Sequence, residues 1–228
     1  MSNEYPTNQE LLNKIKNLED ELLIIKKSIS EVSLMKKSIN ETGNSKRYLT
    51  LDDILSLEGD AYYDEERWTI FYAPMIEELK KLPNFDSVLE IGPYKAPLIE
   101  NSDVIDISDF SGNFPFNINN VIIHDCSKIP YPIEDKKYDL VIASQCLEHF
   151  GYFGEQVGVF KELARICNKA IVALPYNWFQ PLNISHHRID EKVLDVWQGE
   201  FQHTSEVITK SEVNTNRIII RTYDFSDY

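Results

Sequence analysis

Ser87-Val-Leu-Glu-Ile-Gly-Pro93 and Tyr138-Asp-Leu-Val-Ile-Ala-Ser-Gln-Cys-Leu-Glu-His-Phe150 decide the fold. The first segment is an apolar run that ends in an acid and a glycine. The second is an apolar run that opens into polar residues. Each reads as a buried parallel strand whose carboxyl end carries chemistry. In open α/β sheets that edge is where ligands bind.

Working outward, residues from 87 onward alternate short apolar runs with helical patterns. The expected strands are Val88–Ile91, Val104–Ile107, Val121–His124, Leu140–Ala143 and Ala170–Leu174, followed by two near Glu206–Thr209 and Arg217–Tyr223. Between them, Phe160, Leu163 and Ile166 share one helical face, and Asp190–Trp197 forms another helix. This predicts an α/β fold with a doubly wound, mostly parallel seven-stranded sheet. The gap between the last two strands is too short for a parallel crossover, so the final strand should run antiparallel to its neighbour.

Upstream, residues 10–40 carry Leu11, Leu18, Ile25, Val32 and Ile39 at seven-residue spacing, with Ile15, Leu22 and Ile29 interleaved. That is a heptad seam, and it predicts a coiled-coil helix that makes a homo-oligomer. An amphipathic helix lying on the body is the plainer reading. Thr42-Gly-Asn-Ser-Lys46 reads as a linker, which sets the domains at 1–45 and 46–228. Residues 50–82 look helical: Thr50-Leu-Asp-Asp53 resembles a cap, Trp68, Phe71, Tyr72, Met75, Ile76 and Leu79 form a mixed apolar face, and Pro74 is a point of expected distortion.

Bulk properties narrow the function. The chain has 228 residues, 43% of them hydrophobic, which suits a globular body with an appendage. A formal net charge of −14 repels phosphate backbones and argues against nucleic acid. The apolar runs are too short for a membrane span, and the N-terminus lacks the apolar core of a secretory signal. Cys126, Cys146 and Cys167 form neither a disulfide framework nor a C-x-x-C site, so a reducing, cytoplasmic setting is expected.

The order of these pieces resembles the class I S-adenosylmethionine-dependent methyltransferases over roughly residues 85–225. The wording is nearest to the ubiquinone/menaquinone-biosynthesis branch and to bacterial surface-glycan (capsule and lipopolysaccharide sugar) methyltransferases. Glu90-Ile-Gly-Pro-Tyr94 resembles the first motif, E-x-G-x-G-x-G, with Tyr94 and Ala96 where later glycines usually stand. The resemblance implies that Gly92 and Pro93 pass close to the methionine part of the donor and that Glu90 organises its amine. Asp106, sixteen residues after Glu90, ends the second strand and would accept the ribose hydroxyls, with Ile107 beside it. A helix cap is the alternative for Asp106. His124-Asp-Cys-Ser-Lys-Ile-Pro-Tyr-Pro132, followed by Lys137-Tyr-Asp-Leu-Val141, matches the family's adenine segment. Asp125 would take the adenine amino group and the Cys126 amide a ring nitrogen. Asp139 is read as structural. Ser144 and Gln145 would line the donor, and His149 would act as a base or hold the loop.

A second cluster follows the fifth strand: Leu174-Pro-Tyr-Asn-Trp178, then His186-His-Arg-Ile-Asp190. Loops at this edge hold the acceptor in the resembled family. Tyr176, Asn177, Trp178 and Arg188 are therefore the expected acceptor contacts, and His186 or His187 the expected base, with His149 behind them. Asp190 reads equally well as a helix cap. No metal is expected. The implied activity is O-methylation of a sugar hydroxyl on a nucleotide-activated or glycan-borne sugar, a heptose among the candidates, in capsular or surface-polysaccharide biosynthesis. Small-molecule N-methylation is the enzymatic alternative, and a non-catalytic partner protein is the alternative of a different kind.

Overall fold

In the computed structural model, seven strands form one sheet in the order β3-β2-β1-β4-β5-β7-β6. The structure describes residues 46–57, 62–150, 154–177, 188–210 and 217–228. The strands are β1 Val88–Ile91, β2 Asp103–Asp106, β3 Asn120–Ile123, β4 Tyr138–Ser144, β5 Cys167–Pro175, β6 His203–Lys210 and β7 Arg217–Asp224. The pairs among β1 to β5 are parallel, and β7 runs antiparallel to both β5 and β6. The expected reversal of the last strand is therefore present. The order turns at β1, where β2 lies on one side and β4 on the other, so the crevice expected of a wound sheet opens there.

The helices are α1 Leu51–Leu55, α2 Glu65–Arg67, α3 Ala73–Lys81, α4 Glu155–Ile166 and α5 Glu191–Gln198. A π turn, Trp68–Tyr72, joins α2 to α3, with the Ala73 amide donating to the Trp68 carbonyl. Pro74 has no amide to donate, and the wide turn sits immediately before it. The Thr50 cap is a full reciprocal box with Asp53, at 3.2 and 2.9 Å. Asp190 caps α5 by accepting the Val193 amide at 3.0 Å.

Strand side chains alternate between two cores, as a two-residue period requires. Leu89, Ile91, Val141, Ala143, Val172 and Leu174 pack with α4 and α5. Val88, Leu140, Ile142, Ile171 and Ala173 pack with α1 and α3. Glu90 shares the second face, which decides what its carboxylate meets. Asp139 accepts the Asp86 and Ser87 amides and the Ser87 hydroxyl, tying the start of β4 to the entry of β1.

Arg47–Tyr228 is one compact unit. The expected coiled coil at 10–40 lies outside the described residues. Two strands sit one position earlier than expected. Ile107 leaves β2 because the Asp106 carboxylate takes its amide at 2.7 Å, and its side chain is 66% exposed. His124 likewise falls just beyond β3.

Candidate active site

A single cavity of about 670 Å³ lies at the carboxyl ends of β1, β2 and β4. That size suits a small-molecule ligand. Glu90, Asp106 and Asp125, from three successive strand ends, all line it. So do Gly92, Pro93, Ile107, Cys126, Ser144, Gln145 and His149. The residues expected to hold an adenosyl donor therefore surround one hollow.

The loop after β1 is shaped by its own contacts. Gly92 has φ +60°, and a Cβ there would stand 3.0 Å from the Cβ of Cys146. Only glycine meets both demands without displacement. Its amide donates to the Ile105 carbonyl at 2.8 Å. Tyr94 also takes positive φ, at 54°, where the resembled motif would place glycine. Its amide donates to Oδ2 of Asp106 at 3.1 Å. The tyrosine ring stacks on Tyr63, with centroids 6.3 Å apart.

Glu90 is 2% exposed. Its Oε2 accepts the Leu98 amide at 2.6 Å, and its Oε1 accepts the Ile99 amide and the Ser102 hydroxyl, both at 2.9 Å. Burial pushes its pKa up to about 7, against those three donors. Its carboxylate thus holds the 98–102 turn while facing the cavity. Asp106 is buried, and desolvation raises its pKa while backbone amides, Ile107 first, oppose the rise. Asp125 is exposed at the rim. Its Oδ1 accepts the Ser127 hydroxyl at 2.6 Å and amide at 3.0 Å, which lowers its pKa.

Gln145 takes φ 54°, and its amide donates to the Ala173 carbonyl at 2.8 Å. Its side-chain Nε2 is buried without a hydrogen-bond partner. A buried amide donor left this way is costly unless a ligand satisfies it. Glu148 is also buried, with Oε2 unpartnered, and desolvation pushes its pKa up to about 8. Its Oε1 lies 3.9 Å from Nε2 of His149. Burial thus favours the protonated form of Glu148.

Residues preceding β1 also line the cavity: Tyr62, Tyr63, Arg67, Phe71 and Tyr72. The sequence pattern places Phe71 and Tyr72 on an apolar face and gives no role to Tyr62, Tyr63 and Arg67. A usable signal was present. Three tyrosines and an arginine within eleven residues carry too many polar tips for a purely core-facing stripe. Burial raises the Tyr72 pKa well above its ordinary value. The Tyr63 hydroxyl accepts the Lys95 amide at 3.2 Å, joining this segment to the loop after β1.

The second predicted cluster is placed in part. Tyr176 donates its hydroxyl to Glu191 at 2.7 Å, and the Asn177 amide donates to the Ile189 carbonyl at 2.7 Å. Arg188 reaches the Asn177 side chain at 3.4 Å. Tyr176, Asn177 and Arg188 gather where β5 meets α5 but do not line the cavity. Trp178, His186 and His187 lie outside the described residues. All three cysteines are free and buried. Among the described residues, no group of His, Cys, Asp and Glu is placed to hold a metal ion, and no helix is long and apolar enough to cross a membrane.

Solved structures share this fold. The N-methyltransferase NodS from Bradyrhizobium japonicum WM9 matches at 13% identity and TM-score 0.53, covering 72% of this chain and 97% of NodS. The same enzyme in complex with S-adenosyl-L-homocysteine matches at 12% identity and TM-score 0.53, covering 78% and 97%. The PH0226 protein from Pyrococcus horikoshii OT3 matches at 17% identity and TM-score 0.53, covering 74% and 93%. The fold is that of the class I methyltransferases. No family model matches the chain, and no curated protein does. The methyltransferase fold thus stands on the sheet order and these structural likenesses, at identities where sequence carries little.

Proposed function

We propose that the chain is an S-adenosylmethionine-dependent methyltransferase. One observation carries the reading: Glu90, Asp106 and Asp125 line one cavity at the switch point of the sheet. The unpartnered Nε2 of Gln145 supports it, because a polar ligand in the cavity would supply the missing acceptor. When bound, S-adenosylmethionine supplies a methyl group already activated on a sulfonium. The residues present fit it: Asp106 to the ribose hydroxyls, Asp125 and the Cys126 amide to the adenine edge, and Glu90 to the amino-acid end.

The chain's own work is then alignment and proton removal. Holding an acceptor in line is worth roughly 7–11 kcal/mol of barrier. The aromatic wall of Tyr62, Tyr63, Phe71 and Tyr72 excludes water and offers flat faces to a ring-shaped acceptor. We assign the acceptor to the sugar class, a hydroxyl on a nucleotide-activated or glycan-borne sugar such as a heptose. A hydroxyl must lose its proton as it attacks. His149, on the cavity wall, takes that proton at its ring nitrogen in this reading, with His186 and His187 as the other candidates.

N-methylation is the second reading, favoured by the likeness to NodS, whose name is that of an N-methyltransferase. The test begins with calorimetry of the full chain against S-adenosylhomocysteine. Binding is expected, and its absence would favour a non-catalytic partner role. Mass spectrometry after incubation with S-adenosylmethionine and a panel of nucleotide-sugars and amines then reads the acceptor. A gain of one methyl on an amine, with none on any sugar, would overturn the sugar assignment.

A further inference from the structure

The cavity wall is strongly acidic on the sheet side, with Glu90, Asp106 and Asp125. Arg67 lines the same cavity and is the one lysine or arginine among the described lining residues. Its guanidinium carbon lies 3.3 Å from the ring centre of Tyr62 and 4.9 Å from that of Phe71. Two rings therefore fix the plane of a half-buried fork of donors. The Arg67 backbone amide is taken by Asp64, and its guanidinium acts on the buried carboxyl of Glu148, whose pKa burial pushes up to about 8 against that pull. A planar fork held this way matches a carboxylate or phosphate in bidentate fashion.

We infer that Arg67, clamped by Tyr62 and Phe71, is an anion-binding residue that takes a carboxylate or phosphate carried by the ligand in the cavity. The inference rests on the methyltransferase reading for the ligand's identity but not for the anion itself. The acids come from strand ends and the arginine from a helix before β1, which gives it direction: cationic and hydroxyl parts of a ligand go to the acids, and its anionic part goes to Arg67. Two sources share that chemistry, the amino-acid carboxylate of the donor and an anionic group on the acceptor.

Calorimetry on the full chain separates them. Wild type, Arg67→Gln and Arg67→Lys are titrated with S-adenosylhomocysteine and with 5′-methylthioadenosine, which lacks the amino-acid part. Each protein saturated with S-adenosylhomocysteine is then titrated with inorganic pyrophosphate. A donor source predicts that Arg67→Gln weakens S-adenosylhomocysteine about 10- to 100-fold and leaves 5′-methylthioadenosine unchanged, with Arg67→Lys between. An acceptor source predicts unchanged S-adenosylhomocysteine binding but pyrophosphate binding that Arg67→Gln abolishes. Equal weakening of both nucleosides, or no effect on any probe, overturns the inference. Should wild type bind neither nucleoside, the methyltransferase reading falls and pyrophosphate, titrated alone, decides the anion site. Circular dichroism on all three proteins keeps a folding defect apart from these outcomes.

Discussion

Asp106 accepts the Tyr94 amide on Oδ2 at 3.1 Å, so the acid that closes β2 also steers the loop leaving β1. One carboxylate thus joins two of the segments that wall the cavity. Its other oxygen takes the Ile107 amide at 2.7 Å. Asp106→Ala is expected to weaken S-adenosylhomocysteine about 10- to 100-fold, since bonds to a charged acceptor are the stronger kind. Asp106→Asn, which keeps one acceptor oxygen, should lose less. Wild-type affinity in Asp106→Ala, read by calorimetry, would rule out the ribose assignment.

Gly92 is expected to be intolerant of a methyl group for two separable reasons. Gly92→Ala adds a left-handed backbone cost and a 3.0 Å approach to the Cβ of Cys146, together about 1–3 kcal/mol. For a chain of this size that is a fall in melting temperature of roughly 2–10 °C. Cys146→Gly removes the opposing Cβ. In a double-mutant cycle the pair should show favourable coupling of about 0.5 kcal/mol or more, leaving the backbone part behind. Strict additivity would mean that the close approach is harmless.

Glu90 holds the turn that shapes the cavity floor. Glu90→Ala would leave the Leu98 and Ile99 amides and the Ser102 hydroxyl without their acceptor, at about 2–5 kcal/mol. Glu90→Gln retains one oxygen and should cost less than half of that. Urea unfolding measures both. Equal midpoints for the two variants would show that the carboxylate does not organise the turn.

Much of this was legible beforehand. Buried parallel strands are continuous apolar runs, so Val88–Ile91 and the core of β4 announce themselves. The reversal of β7 followed from the short gap before it. Boundaries were less legible, because Ile107 looks like one more strand residue until Asp106 captures its amide. Arg67 was hidden for another reason. It precedes β1 by about twenty residues within an aromatic stripe, and periodicity alone reads such a stripe as core. The role of Glu90 in tying Leu98 and Ile99 depends on which face of β1 it takes, and that is settled by packing against α1 and α3.

Glu148 makes the unliganded protein sensitive to alkali. Its folded pKa, about 8, stands above the ordinary value of 4.5, so the folded state binds more protons in that interval. Stability is therefore fully present at low pH within the folded range and is lost as pH rises through about 8. Glu90, at about 7, acts in the same direction. Melting temperature should fall between pH 5.5 and 8.5, and Glu148→Gln should flatten the upper part of that slope. An unchanged slope in the variant would place the sensitivity elsewhere.

His149 lines the cavity and is the base candidate whose position is described. With an alcohol acceptor, His149→Ala should lower kcat about 10²–10⁴-fold while S-adenosylhomocysteine affinity holds. An amine acceptor would leave kcat within a few-fold. Parallel variants of His186 and His187 decide among the three.

The bond from the Lys95 amide to the Tyr63 hydroxyl reaches beyond its own strength. A fragment starting at Ser87 would retain every strand and all three acids, yet its cavity would lose the Tyr62–Tyr72 part of its lining. The cavity is in this sense a joint product: strand ends furnish one part of its lining, and a stretch of chain made before any strand furnishes another.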